Sequence, residues 1–205
     1  MLCDGVIFDL DGTLWDSCRS VAASWAETLA KNHGGLYTPT EEDIRGIMGM
    51  TVEQIAETLF SAYGREALSV CRDCIDHEYA YIAVHGGKLY PGVEELFHAL
   101  AGICGLYIVS NCQQGYIELL MEKGGLGGLI SDFDCFGNTG LPKGQTLRLL
   151  CERCNVRDAV YVGDTQGDME ASEQAGLPFV WAAYGFGKPA HWDKRIDHFT
   201  DLLRL

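Results

Sequence analysis

Between Val93 and Ala182 the apolar pattern switches repeatedly between a helical period and a strand period, and each switch falls at a polar or glycine-bearing turn. Val93, Leu96, Phe97 and Leu100 share one helical face. A strand is then expected over 106–109, a helix over 113–123, a short strand near Cys135, a helix over 143–154, a strand over 159–162, a helix over 168–175 and a strand over 178–182. A further apolar run, Val6-Ile7-Phe8, opens the chain. This repetition predicts an α/β class: a Rossmann-like parallel sheet with helices on both faces.

The stretch after the first strand breaks the alternation. Residues 17–32 read as a helix with Ser17 as N-cap and Gly34-Gly35 as its end. Thr40 with Asp43 three residues on has the form of a capping box, and helical patterns follow over 52–63 and 65–83. Residues 16–88 therefore hold helices and no clear strand. The expected organisation is a sheet-bearing core of residues 1–15 and 89–205, interrupted by an all-helical insertion, the cap, of residues 16–88. Gly86, Gly87, Pro91 and Gly92 mark the return hinge.

Charge narrows the function classes. With 15 Lys+Arg against 29 Asp+Glu, the formal charge of -14 repels phosphate backbones and anionic lipid surfaces. Neither a nucleic-acid partner nor a membrane partner is expected, and no apolar run approaches the ~18 residues that span a bilayer. The opening residues carry no basic region followed by an apolar one, so a cytoplasmic protein is expected, as monomer or homodimer. Nine cysteines, an odd number, suit a reducing compartment. Cys71-Arg-Asp-Cys74 and Cys151-Glu-Arg-Cys154 have zinc-like spacing, but both lie in helical patterns, where small apolar thiols on a packed face are the better reading.

In an open parallel sheet, ligands bind beyond the carboxyl ends of the strands. Those ends here read Asp9-Leu10-Asp11-Gly12-Thr13, Ser110-Asn111 and Gly163-Asp164-Thr165-Gln166-Gly167-Asp168, with Lys143 opening a helix between the last two. The strand period of two puts Asp9 and Asp11 on one side. With Asp164 and Asp168 at the same edge, four carboxylates would face one lysine, which requires a cation. Oxygen donors without His or Cys suit Mg²⁺. A carboxylate so neutralised can attack a phosphoryl group, the second can protonate the leaving oxygen and later take a proton from water, and Ser110 and Asn111 can hold the transferring oxygens.

These segments resemble the motifs of the haloacid dehalogenase-like superfamily, in order and over essentially the whole chain: Asp9 to Leu14, Ile108 to Asn111, Lys143, and Gly163 to Asp168. The stretches "TLWDS", "LYPGVEELFHAL" and "GDTQGDMEASEQAG", with the helical insert, are similar to the phosphoglycolate phosphatase and β-phosphoglucomutase branch. The resemblance implies Asp9 as nucleophile, Asp11 as acid/base, Ser110 and Lys143 as phosphate holders and Asp164 as a Mg²⁺ ligand supported by Asp168. It also implies that the Asp9 side chain and the Asp11 backbone carbonyl meet the metal. One departure stands out: Gly144 follows the lysine where the branch usually has proline.

The expectation is a Mg²⁺-dependent phosphatase of small phosphorylated metabolites, working through an aspartyl phosphate. Three rival functions fit the residues less well. A dehalogenase needs neither metal nor acid/base, so Asp11 argues against it. A phosphosugar mutase of this branch carries a histidine about twelve positions after its nucleophile, where this chain reads "SVAASWAE". A non-catalytic phosphate-binding regulator has no use for Asp11. Within the cap, Arg45 is the selectivity candidate, its guanidinium suiting a carboxylate or phosphate on the substrate's non-transferred end. Asp16 and Ser17 either serve the chemistry or start the cap.

Overall fold

The computed structural model describes residues 4–204. Its strands and α-helices run β1 (Gly5–Phe8), β2 (Trp15–Asp16), α1 (Cys18–Asn32), α2 (Glu41–Ile47), α3 (Val52–Leu59), α4 (Ala67–His85), β3 (Lys88–Leu89), α5 (Val93–Leu100), β4 (Gly105–Ser110), α6 (Tyr116–Lys123), β5 (Asp132–Cys135), α7 (Phe136–Thr139), α8 (Lys143–Cys154), β6 (Ala159–Gly163), α9 (Gln166–Ala175), β7 (Phe179–Ala182) and β8 (Lys194–Ile196). The chain divides into two compact units, one formed by the residues up to Asp16 and from Leu89 onward, the other by Ser17–Lys88.

The first unit is built on a six-stranded sheet in the order β5-β4-β1-β6-β7-β8, with every neighbouring pair parallel. β1 is fully buried, as its unbroken apolar run requires, and lies between β4 and β6 with Phe8 opposite Ile108 on one side and Val162 on the other. That register brings the residues following Phe8, Val109 and Val162 to one edge. The faces of β1 then divide the core. Ile7 joins Tyr107, Val109, Tyr161, Phe179 and Trp181 under Leu147 and Leu150 of α8 and Met169 of α9. Phe8 packs on the opposite side against Phe97 of α5, ring centroids 5.1 Å apart, and against Phe199, 5.6 Å away, in a 3₁₀ turn over Phe199–Arg204. Helices therefore cover both faces of a Rossmann-like sheet.

β8 adds a sixth strand that the apolar pattern does not announce, because Lys194 and Arg195 leave only Ile196 buried. The helix expected from residue 113 starts at Tyr116, and the one expected from 168 starts at Gln166.

The second unit is helical. Thr40 opens α2 with the expected capping box: Asp43 N donates to Thr40 Oγ1 at 3.2 Å, and Thr40 N to Asp43 Oδ2 at 2.8 Å. Ser17 occupies the N-cap position of α1 but its side chain makes no capping hydrogen bond. The helix expected over 52–63 ends at Leu59, and a 3₁₀ segment, Ser61–Glu66, precedes α4. Val70, Cys71, Cys74 and Ile82 of α4 are buried, and Trp25 of α1 packs on Phe60 while its indole N–H donates to Glu78 Oε2 at 2.9 Å. Cys71 and Cys74 are core thiols; Cys151 and Cys154 pack against the Tyr161 cluster. The short strands β2 and β3 lie where the chain leaves and re-enters the sheet-bearing unit, so the stretch read as strand-free is bounded by extended segments.

Candidate active site

Past β1 the chain must turn at once. The Leu10 carbonyl accepts from Thr13, Leu14 and Trp15 N–H at 3.3, 2.8 and 3.3 Å, closing a tight loop whose Gly12 has φ +83°. A Cβ at Gly12 would lie 2.4 Å from Asp164 Oδ2, so glycine meets both a backbone and a space requirement. The loop leaves Asp9 buried at the strand end and Asp11 half-buried beyond it.

Three carboxylates converge. Oxygens of Asp9, Asp164 and Asp168 lie within 4.8 Å of one another, all three side chains buried. Among the described residues this is the group of His, Cys, Asp and Glu side chains arranged to hold a metal ion, and neither cysteine pair belongs to it. Lys143, at the first turn of α8 after Pro142, reaches into the group with its ammonium 2.8 Å from Asp9 Oδ1 and 2.6 Å from Asp168 Oδ1. Asp168 is saturated: Oδ1 also accepts from the Tyr161 hydroxyl at 3.0 Å, and Oδ2 closes the capping box of α9 with Thr165. Asp164 Oδ2 accepts from Phe186 N at 2.7 Å, and its Oδ1 from Thr13 Oγ1 at 3.4 Å.

The electrostatics follow from this crowding. Burial, then the charge of Asp168, pushes the Asp9 carboxyl up to about 7 even with Lys143 beside it. Burial and the same neighbours raise Asp164 well above the usual carboxylate range. Burial would raise Asp168 too, but the Lys143 ammonium and the Thr165 hydrogen bonds outweigh it and hold its pKa low. For Lys143, burial opposes the charge, and the two carboxylates reverse that effect and keep it an ammonium. Three carboxylates against one ammonium leave two negative charges in excess when all are ionised. An all-oxygen donor set with that excess fits a hard divalent cation.

The other expected residues take distinct places. Ser110 is buried at the end of β4, with its Oγ accepting from Cys112 N at 3.3 Å, and Asn111 next to it is exposed. The side chain of Asp11 stands outside the three-carboxylate group, its Oδ1 accepting from Trp15 Nε1 at 3.0 Å and from the Tyr116 hydroxyl at 3.3 Å. Arg45 lies within α2, exposed, and pairs with Glu41 Oε1 at 2.9 Å.

The residues from 6 to 182 match the family model described as haloacid dehalogenase-like hydrolase. This chain belongs to the haloacid dehalogenase-like hydrolase family. A phosphoglycolate phosphatase of Yersinia pseudotuberculosis is 29% identical over 97% of the chain and 91% of its own length. An N-acetylmuramic acid 6-phosphate phosphatase of Pseudomonas putida is 28% identical over 98% of the chain and 94% of its own length. A crystal structure from Haemophilus somnus, described as a predicted phosphoglycolate phosphatase, superposes with a TM-score of 0.84 at 23% identity, covering 100% of this chain and 98% of that one.

Four features of the site carry no signature in the sequence: the Tyr161 hydroxyl on Asp168, the Phe186 amide on Asp164, and the two ring donors on Asp11. The Tyr184-Gly185-Phe186-Gly187 run was readable as a loop after a strand, and a Cβ on Gly185 would come 2.3 Å from Asp164 Cβ.

Proposed function

We propose that the chain is a Mg²⁺-dependent phosphatase of small phosphorylated metabolites, acting through an aspartyl phosphate on Asp9. The observation that carries the reading is the Lys143 ammonium held between Asp9 and Asp168 at 2.8 and 2.6 Å, with Asp164 in the same carboxylate group. A carboxylate kept beside a buried ammonium can approach a phosphoryl dianion, because the cation screens its oxygens. Asp9, Asp164 and the Asp11 backbone carbonyl would hold the metal, with Asp168 in support. When bound, that ion supplies Lewis-acid neutralisation of the phosphoryl oxygens.

The protein's own groups then divide the work. The Asp9 carboxylate forms a bond to phosphorus as the bond to the leaving oxygen breaks, and Asp11 gives that oxygen its proton. Water next attacks the aspartyl phosphate while Asp11 takes back a proton, freeing phosphate and Asp9. Lys143, the Ser110 hydroxyl and Asn111 steady the oxygens in both steps. Tyr161 and Thr165 fix Asp168, which fixes Lys143 in turn.

Substrate choice is assigned to the inserted helical unit, with Arg45 as its candidate residue. The relatives named for phosphoglycolate and for N-acetylmuramic acid 6-phosphate take esters that carry a carboxylate besides the phosphate. A guanidinium is suited to that second anion. The test is a panel of metabolite phosphate esters assayed as kcat/KM with Mg²⁺ and with chelator. Metal-dependent release of phosphate, strongest for carboxylated esters and absent in Asp9→Asn, is the expected result. Activity that survives chelation or the Asp9→Asn change overturns the reading, and isomerised sugar phosphate without free phosphate replaces it with a mutase.

A further inference from the structure

Asp11 is gripped by two aromatic side chains from opposite parts of the sequence. Trp15 Nε1 donates to Asp11 Oδ1 at 3.0 Å, and the Tyr116 hydroxyl donates to the same oxygen at 3.3 Å. Both rings are buried, Trp15 to 1% and Tyr116 to 3% exposure, and meet edge to face with centroids 5.6 Å apart and planes at 76°. Their backbones are fixed as well. Trp15 is folded back over Asp11 by its N–H on Leu10 O and by the Gly12 N–H on its own carbonyl at 2.9 Å. Tyr116 is the first residue of α6, entered through Gly115 at φ +90°, four residues after Asn111.

From this geometry we infer that Trp15 and Tyr116 are positioning residues for the acid/base, fixing the rotation of the Asp11 carboxylate. The inference rests on the reading of Asp11 as acid/base given above. Two donors converge on Oδ1, which fixes that oxygen at the aromatic wall. Each ring is locked by the other, so the carboxylate cannot rotate without breaking two hydrogen bonds inside a packed wall. In the first step the proton moves from the Asp11 carboxyl to the leaving oxygen as its bond to phosphorus breaks. In the second, the Asp11 carboxylate receives a proton from the attacking water.

A merely structural role would slow every substrate alike, whereas a misplaced acid harms those whose leaving group needs a proton. The experiment therefore compares kcat/KM for an alkyl ester, 2-phosphoglycolate, with that for p-nitrophenyl phosphate, whose leaving group departs unprotonated. Tyr116→Phe removes only the hydroxyl donor, and Trp15→Phe removes the indole N–H together with part of a buried ring; folding is checked by circular dichroism and melting. Because kcat/KM reports the steps through leaving-group departure, the later hydrolysis of the aspartyl phosphate does not blur the comparison.

The alkyl-to-aryl ratio is expected to fall by about tenfold in each single variant and further in the double variant, approaching the ratio of Asp11→Asn. Equal losses on both esters, or no change in the ratio, overturn the positioning role while the Asp11→Asn ratio still falls. An Asp11→Asn ratio equal to that of the unaltered protein overturns the acid/base reading and this inference with it.

Discussion

The Lys143 ammonium lies 2.6 Å from Asp168 Oδ1, an oxygen that cannot move, because Tyr161 donates to it and Thr165 holds its partner oxygen. Lysine flexibility is thereby removed at a position where the charge has to be in place before substrate arrives. Lys143→Met keeps the length and loses the charge. It is expected to lower kcat/KM by at least about a hundredfold, with little recovery in Lys143→Arg, whose planar fork does not fit a point-charge site. Steady-state rates with an aryl phosphate decide this.

Asp9→Asn separates chemistry from stability. The amide cannot attack phosphorus, so turnover is expected to vanish. It also needs no buried charge beside Asp168, so the metal-free variant is expected to melt no lower than the parent. A thermal melt in chelator together with an activity assay reads both outcomes, and a large drop in Tm would count against the crowding of charge described at this site.

The pH dependence of stability has a definite sign. Asp9 is raised from an ordinary value of 3.8 to about 7 by burial and by Asp168, so between those values the folded chain binds more protons than the unfolded one. The stability from this group is complete below its unfolded value and is lost as pH rises through about 7. Asp164, raised by the same causes, acts in the same direction. Asp168 is lowered and acts oppositely, its contribution being lost only in acid. In chelator, the Tm of Asp9→Asn is expected to fall less than that of the parent between pH 5 and about 8. A divalent cation is expected to raise the parent's Tm more at the alkaline end, where the carboxylates are already ionised.

Gly144 departs from the branch's usual proline for a reason visible in the packing of α8 on α9. A Cβ there would stand 2.7 Å from Gln174 Oε1, 2.8 Å from Gln174 Cβ and 3.0 Å from the Ala171 carbonyl. Gly144→Ala is expected to destabilise the protein by about 1–3 kcal/mol and to reduce kcat/KM, because Lys143 is the adjoining residue and moves with the helix. Trimming Gln174 to alanine in the same chain should recover only part of the loss, since the backbone carbonyl remains. Denaturant unfolding of the single and double variants measures this.

How far the sequence could be read depends on where each signal resides. β1 and its aspartates were legible because a buried strand shows an unbroken apolar run and the carboxylates interrupt it. Thr40 with Asp43 was legible because a capping box is a local pattern. β8 was not, since an edge strand with Lys194 and Arg195 exposed carries no apolar signature. The Phe186 contact to Asp164 uses a backbone N–H, which no side-chain pattern marks. Tyr116 lies 105 residues from Asp11, so only the folded sheet brings them together. Ser17 shows the reverse case: it occupies the cap position, yet its hydroxyl does not cap.

The grip of Trp15 on Asp11 also gives the site an optical handle. Of the chain's four tryptophans, Trp181 and Trp192 pack against each other in a tilted pair with centroids 4.6 Å apart, and Trp25 donates to Glu78. Trp15 alone among them is bonded to a carboxylate of the proposed chemistry. Its emission is sensitive to the charge on the oxygen its N–H touches. A chain with phenylalanine at the other three positions would therefore leave Trp15 emission as a signal of ligand binding beside Asp11, without an added dye.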